Sequence, residues 1–401
     1  MSLTTNCRMC ASSDMVPMID FGNQPVAHNL PKEKDERKPT FPFAIVFCKD
    51  CSLVQVVEAV SPGLLYKDFN FNFSSWKPEP HIPDELDLIF NNISPKNVLE
   101  VGANDGRFLS LLQERGVKTC TGIEPNAVSG QLARDKGFTI YEDFLNQESA
   151  ERILKEQGQF DLIVFRQVLE HIPDPRGFLK AVEILLKPEG HIFVDVPDFE
   201  PTCAIGDATT LWEEHVLYFS RKTLTHLFAL HGFKPVESAW YDFSGGCLAM
   251  LATRNKDGDP INNVESLSSS VATFSEKYQQ YHARIHAFLA KQKAKGKKIV
   301  MYGAGVRAAA VSNFLGLGEY IDFALDDQKE RQGLFLPGFN IEISSPDILK
   351  DGNYICLLAV NNENEAKVSA NVANISPETP LLSVCGPADI WSALEKMENS
   401  L

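Results

Sequence analysis

The sequence predicts an α/β protein: two Rossmann-like strand–turn–helix domains behind a cysteine-rich lobe. Three observations carry that expectation. Two C-x2-C pairs stand early in the chain, Cys7 with Cys10 and Cys48 with Cys51. A short apolar strand runs into the turn Glu100-Val-Gly102-Ala-Asn104-Asp105-Gly106. A second apolar strand runs into Tyr302-Gly303-Ala304-Gly305. Short apolar runs that alternate with stretches of helical period are the pattern of parallel sheets covered by helices.

At 401 residues, a prior of about 150 residues per domain gives two or three domains. Composition separates three blocks: a turn-rich lobe over 1–70, a strand–helix core over 71–255, and a linker helix with a second glycine-turn domain over 256–401. In the linker, Val264, Leu267, Val271, Phe274, Tyr278, Tyr281, Ile285 and Phe288 recur at the spacing of one helix face, and Gly296 is a natural stop. The net charge of -15 argues against nucleic acid or an anionic membrane as partner, because Lys and Arg drive phosphate binding. There is no basic start followed by an apolar run, and no stretch of about 20 apolar residues. A cytoplasmic location is expected, with reduced thiols. The oligomeric state stays open.

The two cysteine knuckles have the spacing at which four thiolates surround one zinc ion. Such a site is closed to water and substrate, so a structural role is expected for Cys7, Cys10, Cys48 and Cys51. The other five cysteines are expected to be packing thiols.

In the first glycine turn, Gly102 and Gly106 let the backbone pass close to a ligand. The next strand, Thr119 to Ile123, ends at Glu124, where a carboxylate suits a ribose diol. Tyr141-Glu-Asp143-Phe144 closes a third strand. Phe160 to Arg166-Gln167 forms a fourth, which runs into Glu170-His171-Ile-Pro-Asp-Pro175. Gly190 to Pro197 forms a fifth.

This succession resembles the class I S-adenosylmethionine-dependent methyltransferases. The resemblance implies that Glu100, Gly102, Asn104 and Gly106 surround the methionine end of the cofactor. It implies that Glu124 holds the ribose and that Asp143 and Phe144 flank the adenine. Gln167, just after the fourth strand, is expected on the cofactor as well.

A closer resemblance runs nearly end to end. Its residues are the two cysteine pairs, Asp20-Phe-Gly22-Asn-Gln24-Pro25, Ser52-Leu-Val54-Gln55, Glu213-Glu214-His215-Val-Leu-Tyr218, Asp326-Asp327 and Leu336-Pro337-Gly338. The chain is similar to the deoxysugar C-methyltransferases that act on nucleoside-diphosphate 4-keto-6-deoxyhexoses, most often at C3. The likeness implies that the catalytic Glu-His pair falls on Glu214 and His215, with a further histidine at His171. Two family tyrosines have no counterpart here: Trp212 stands at one, and Phe71 lies near the other. Phe71, Trp212, Tyr302, Arg307 and Lys329 are the expected substrate contacts.

The residue types suit that chemistry. A C–H beside a ketone is acidic enough for a positioned base, and imidazole with a pKa of about 6.5 is available as one. His215 is the expected base, Glu214 its orienter or a hydroxyl ligand, and His171 a hydrogen-bond donor to the enolate oxygen. Ser220 reads as a helix N-cap. The second turn has G-x-G-x-x-A spacing, and its expected ligand is the sugar nucleotide; a plain structural repeat and a nicotinamide site are the alternatives. Two further readings compete for the whole chain. One is an O- or N-methyltransferase on another small acceptor. The other is a zinc-containing interaction protein without catalysis.

Overall fold

The computed structural model describes residues 6–67, 79–255, 268–385 and 389–401. Phe71 and the aromatic stretch around it lie outside the described residues, as do Val264 and Leu267. The chain forms two compact units. One gathers Met1–Val16, Phe47–Asp198 and Glu214–Ser266; the other gathers Pro17–Val46, Phe199–Glu213 and Leu267–Leu401.

The first unit is built on a seven-stranded sheet. Across it the strands run Phe233–Tyr241, Cys247–Arg254, Leu186–Pro197, Phe160–Arg166, Asn97–Val101, Thr119–Ile123 and Thr139–Tyr141. The last five are parallel, and the first two join antiparallel. Leu162, Ile163, Val164 and Phe165 are wholly buried, as expected of a strand covered on both faces. Leu86, Ile89, Leu109 and Leu112, from the helices Ile82–Asn92 and Arg107–Glu114, pack with Val98, Leu162 and Phe193. Chain order reverses on either side of Asn97–Val101. A crevice is therefore expected beyond its carboxyl end, where Gly102, Glu124 and Gln167 follow their strands.

Side chains set the helix starts in this unit. Asn126 accepts from the amides of Val128 and Ser129. Ser220 and Thr223 cap the helix Arg221–Leu230 reciprocally, Thr223 N donating to Ser220 Oγ and Ser220 N to Thr223 Oγ1. Ser220 is wholly buried in that cap, so its hydroxyl is a structural group.

The second unit holds a six-stranded sheet in the order Phe335–Leu336, Ile341–Ser344, Phe323–Leu325, Lys298–Tyr302, Tyr354–Leu358 and Leu381–Ser383. All but the first strand are parallel. The helix Ser268–Ala294 lays Tyr281, Ile285, Phe288 and Leu289 against Ile299, Met301, Ile355 and Leu357. Gly296 ends that segment with φ 81°. The segment 17–46 belongs here for visible reasons. Phe335 N donates to Pro31 O at 2.9 Å, Asn340 Nδ2 donates to the carbonyls of Lys34 and Glu36, and Phe21 and Phe43 stack on Phe314. Among the described residues, no helix is long and apolar enough to cross a membrane.

Candidate active site and metal centre

The four knuckle thiols converge. Cys7 Sγ lies 3.4 Å from Cys51 Sγ, and Cys10 Sγ lies 3.6 Å from Cys48 Sγ. A tetrahedron with zinc–sulfur bonds of about 2.3 Å sets its corners about 3.7 Å apart, so the four fit one zinc ion. The Cys51 thiol and the amides of Cys10 and Met9 pull Cys7 down to about 5, against the effect of burial. The same contact raises the Cys51 thiol and burial lifts Cys10 to about 11, so of these three thiols Cys7 ionises most readily. Gln55 braces the knuckle by accepting from Arg8 N at 2.8 Å.

The glycine turn is shaped for close approach. Gly102 has φ 74°, and a Cβ there would lie 2.6 Å from Val168 Cγ2. Gly106 is the left-handed N-cap of the helix Arg107–Glu114. Asn104 and Gln167 also sit at positive φ, 48° and 51°, without being glycine; such backbone collects at ligand sites. Glu100 is buried, its Oε2 has no hydrogen bond among the described residues, and burial pushes its carboxyl up to about 8. A buried, unsatisfied carboxylate beside a glycine turn suits the ammonium of a bound amino acid. Glu124 accepts from Asn104 N at 2.9 Å on Oε2 and from Asn126 N at 2.8 Å on Oε1, which leaves each oxygen one lone pair for a diol. These residues fit S-adenosylmethionine. Two expected cofactor residues have partners already. Asp143 pairs with Arg152 at 2.8 Å, and Gln167 Nε2 donates to Asp195 Oδ1 at 2.6 Å. Phe144 follows, its amide donating to Asp143 Oδ1.

A chain of contacts leads from this turn to the histidines. Asn126 Nδ2 donates to Tyr66 O at 3.2 Å. Tyr66 Oη lies 2.8 Å from His171 Nδ1. The same Nδ1 lies 2.8 Å from the main-chain oxygen of Glu214. The His171 and His215 rings meet edge to face at 4.9 Å. Val216 N donates to Glu170 O at 2.7 Å, so residues 170–171 clasp the strap 214–216 twice. Glu214 and His215 are both buried.

That geometry fixes a tautomer. A carbonyl oxygen only accepts, so the contact with Glu214 O puts the proton on His171 Nδ1, and Tyr66 Oη then accepts from the same N–H. The neutral ring then presents a bare Nε2, which donates only in the imidazolium form. Glu170, itself buried, places Oε1 3.7 Å from that nitrogen.

The remaining expected residues lie in the second unit. Tyr302 Oη donates to Asp327 Oδ1 at 2.7 Å, and Arg307 is buried with Nε donating to Asn361 Oδ1 at 2.6 Å. Lys329 is exposed and Trp212 half-buried. Glu213 accepts from Ala27 N at 2.6 Å. Asp326 accepts from Ala304 N and Arg331, so it faces the second glycine turn. Gly303 is required by packing: at φ 118°, a Cβ would lie 2.5 Å from Ala359 O.

Sequence reasoning missed Tyr66 and a buried polar group formed by Glu79, His81, Glu85, Arg166, Asp195 and Cys247. His81 and Glu85, four apart at a helix start, were the one local signal for that group.

The chain is similar to known proteins along most of its length. Residues 7–66 match the family model "Putative zinc binding domain", residues 77–238 match "Methyltransferase domain", and residues 243–375 match "C-methyltransferase C-terminal domain". The chain is similar to the C-methyltransferase NovU of Streptomyces niveus, 28% identical over 360 residues, which is 85% of this chain and 86% of that one. The ubiquinone biosynthesis O-methyltransferase of Escherichia coli K12 is 32% identical over 102 residues, 24% of this chain and 41% of that one. A solved 1,6-didemethyltoxoflavin-N1-methyltransferase from Burkholderia thailandensis shares 19% identity at a TM-score of 0.37, over 52% of this chain and 98% of its own. With these three models matched in succession, the chain is an S-adenosylmethionine-dependent methyltransferase with a zinc-binding domain ahead of the core, similar over most of its length to a C-methyltransferase.

Proposed function

We propose that the acceptor is a nucleoside-diphosphate 4-keto-6-deoxysugar, methylated at a ring carbon, C3 above all, after His215 removes the proton beside the ketone. The observation that carries this reading is the run of contacts from Glu124 through Asn126, Tyr66 and His171 to Glu214. It joins the residues suited to the methyl donor to the paired rings of His171, half-buried, and His215, buried. The near full-length likeness to a C-methyltransferase favours carbon over oxygen as acceptor, because the O-methylating relative matches over 24% of this chain alone.

S-adenosylmethionine, when bound, supplies the electrophilic methyl group. Glu100, Gly102, Asn104 and Gly106 hold its methionine end, Glu124 its ribose, and Asp143, Phe144 and Gln167 line the rest. His215 is the base. Its loop is held by the His171–Glu214 and Glu170–Val216 bonds, so the imidazole keeps one aim. Glu214 orients the base or takes a sugar hydroxyl. His171, as imidazolium beside Glu170, donates Nε2–H to the developing enolate oxygen. Trp212, Tyr302, Arg307 and Lys329 contact the sugar nucleotide, and Phe71 belongs to the same assignment. In this reading 1–70 is the zinc lobe, 71–255 the transfer core and 256–401 the substrate-binding part of a cytoplasmic enzyme.

The experiment is direct. Protein, S-adenosylmethionine and a 4-keto-6-deoxy sugar nucleotide are mixed, and the product is examined for a new carbon-bound methyl. A carbon-bound methyl supports the reading, and an O- or N-linked methyl overturns it.

A further inference from the structure

The buried group that the proposed reaction leaves unused has the arrangement of a metal site. Glu85 and Asp195 are wholly buried, His81 and Cys247 nearly so. Each carboxylate has one oxygen engaged by a protein donor. Arg166 Nε donates to Glu85 Oε2 at 2.7 Å, and Gln167 Nε2 donates to Asp195 Oδ1 at 2.6 Å. The other two oxygens, Glu85 Oε1 and Asp195 Oδ2, have no hydrogen bond among the described residues. Both are turned toward one nitrogen: His81 Nε2 lies 3.7 Å from the first and 3.6 Å from the second. Cys247 Sγ, which donates to Asp195 Oδ1, completes a set of four donor atoms, all within 4.8 Å of one another. Tetrahedral zinc, at about 2.0–2.3 Å from its ligands, holds them about 3.3–3.8 Å apart.

Charge points the same way. Glu79, Glu85 and Asp195 lie within ion-pair distance of one guanidinium, that of Arg166. Glu79 is half-buried and also pairs with Arg107, so the two wholly buried carboxylates, Glu85 and Asp195, share the Arg166 guanidinium and leave one buried negative charge, which a bound cation would offset. Arg166 and Gln167 then serve as outer partners that orient the ligating carboxylates.

We propose that His81, Glu85, Asp195 and Cys247 form a second site for a divalent ion of the zinc class, separate from the four-thiolate site. With four protein ligands it is closed, and it clamps the helix Ile82–Asn92 to the strands Leu186–Pro197 and Cys247–Arg254. The rival occupant is a proton shared between Glu85 and Asp195.

The test is elemental analysis of the full chain purified without chelator, with X-ray absorption at the zinc edge. Two equivalents of metal are expected in the wild type, falling to one in Cys247→Ser and in His81→Ala. The absorption should show nitrogen or oxygen neighbours at about 2.0 Å beside sulfur at about 2.3 Å. Because the absorption is read on wild-type protein, an unfolded variant does not decide the matter. One equivalent with sulfur neighbours alone overturns the proposal in favour of the shared proton. Two equivalents retained in His81→Ala also overturn it.

Discussion

His171 Nδ1 donates to the main-chain oxygen of Glu214, 2.8 Å away, and so a residue after the fourth core strand holds the loop that carries His215. A side chain that fixes both its own tautomer and a neighbour's backbone has two separable roles, and mutation can part them. His171→Asn, able to keep a donor near Glu214 O but not to become cationic, should fold and bind S-adenosylhomocysteine normally. Its turnover should fall about 10²–10³-fold, the usual cost of one lost transition-state donor. Single-turnover kinetics with calorimetry of cofactor binding checks both halves.

Glu170→Gln removes the charge beside His171 Nε2 while keeping its shape. The imidazolium then loses its counter-charge, and the alkaline limb of the pH–rate profile should move to lower pH. A purely structural role for Glu170 predicts a lower melting temperature with an unmoved profile.

Glu100 links pH to cofactor binding. Its carboxyl is raised to about 8 by burial, above the unfolded value. A raised carboxyl contributes stability that is fully present below about pH 4.5 and is lost as pH rises through about 8. The cofactor ammonium needs the ionised form. Affinity for S-adenosylhomocysteine should therefore strengthen by up to about tenfold per pH unit between about pH 6 and 8, then level off. Glu100→Gln should bind weakly with little slope, as titration calorimetry at several pH values would show.

Ser220 separates cap from catalyst. Ser220→Ala should cost about 1 kcal/mol of stability through the lost cap and leave the chemical step unchanged. A melting curve and a rate on the folded protein are sufficient.

The zinc knuckle should behave as folding energy. Cys48→Ser should lose the four-thiolate metal and the cooperative transition of its lobe, since a structural zinc ion contributes about 10–16 kcal/mol in small metal-held folds. Metal content and proteolysis of the region 6–67 report it.

Much of this was legible in the residue order. The strand Asn97–Val101, the turn at Gly102 and the helix Arg107–Glu114 follow from local apolar runs, glycine freedom and period, and they appear where those signals put them. So do the Ser220 cap and the apolar face of the helix Ser268–Ala294 from Val271 to Phe288. The Tyr66–His171 bond was not legible. It joins residues 105 apart through a short π-helical turn at Gly63–Lys67 that no spacing announces. Nor was the group around Asp195. Strand order brings residues from four elements together there, and sequence distance records nothing of that convergence. Asp143 shows the limit of motif transfer: its position was foreseen, but its Arg152 partner depends on how the next helix lies.

The central claim is that His215 makes an enolate, and exchange with solvent tests it most directly. In D2O, with S-adenosylhomocysteine replacing the methyl donor, methylation is blocked but proton removal is not. The wild type should wash deuterium into the position beside the ketone of the 4-keto-6-deoxy sugar nucleotide, and His215→Asn should not. Equal exchange in both proteins, or none in a wild type that still methylates the sugar, would contradict the account.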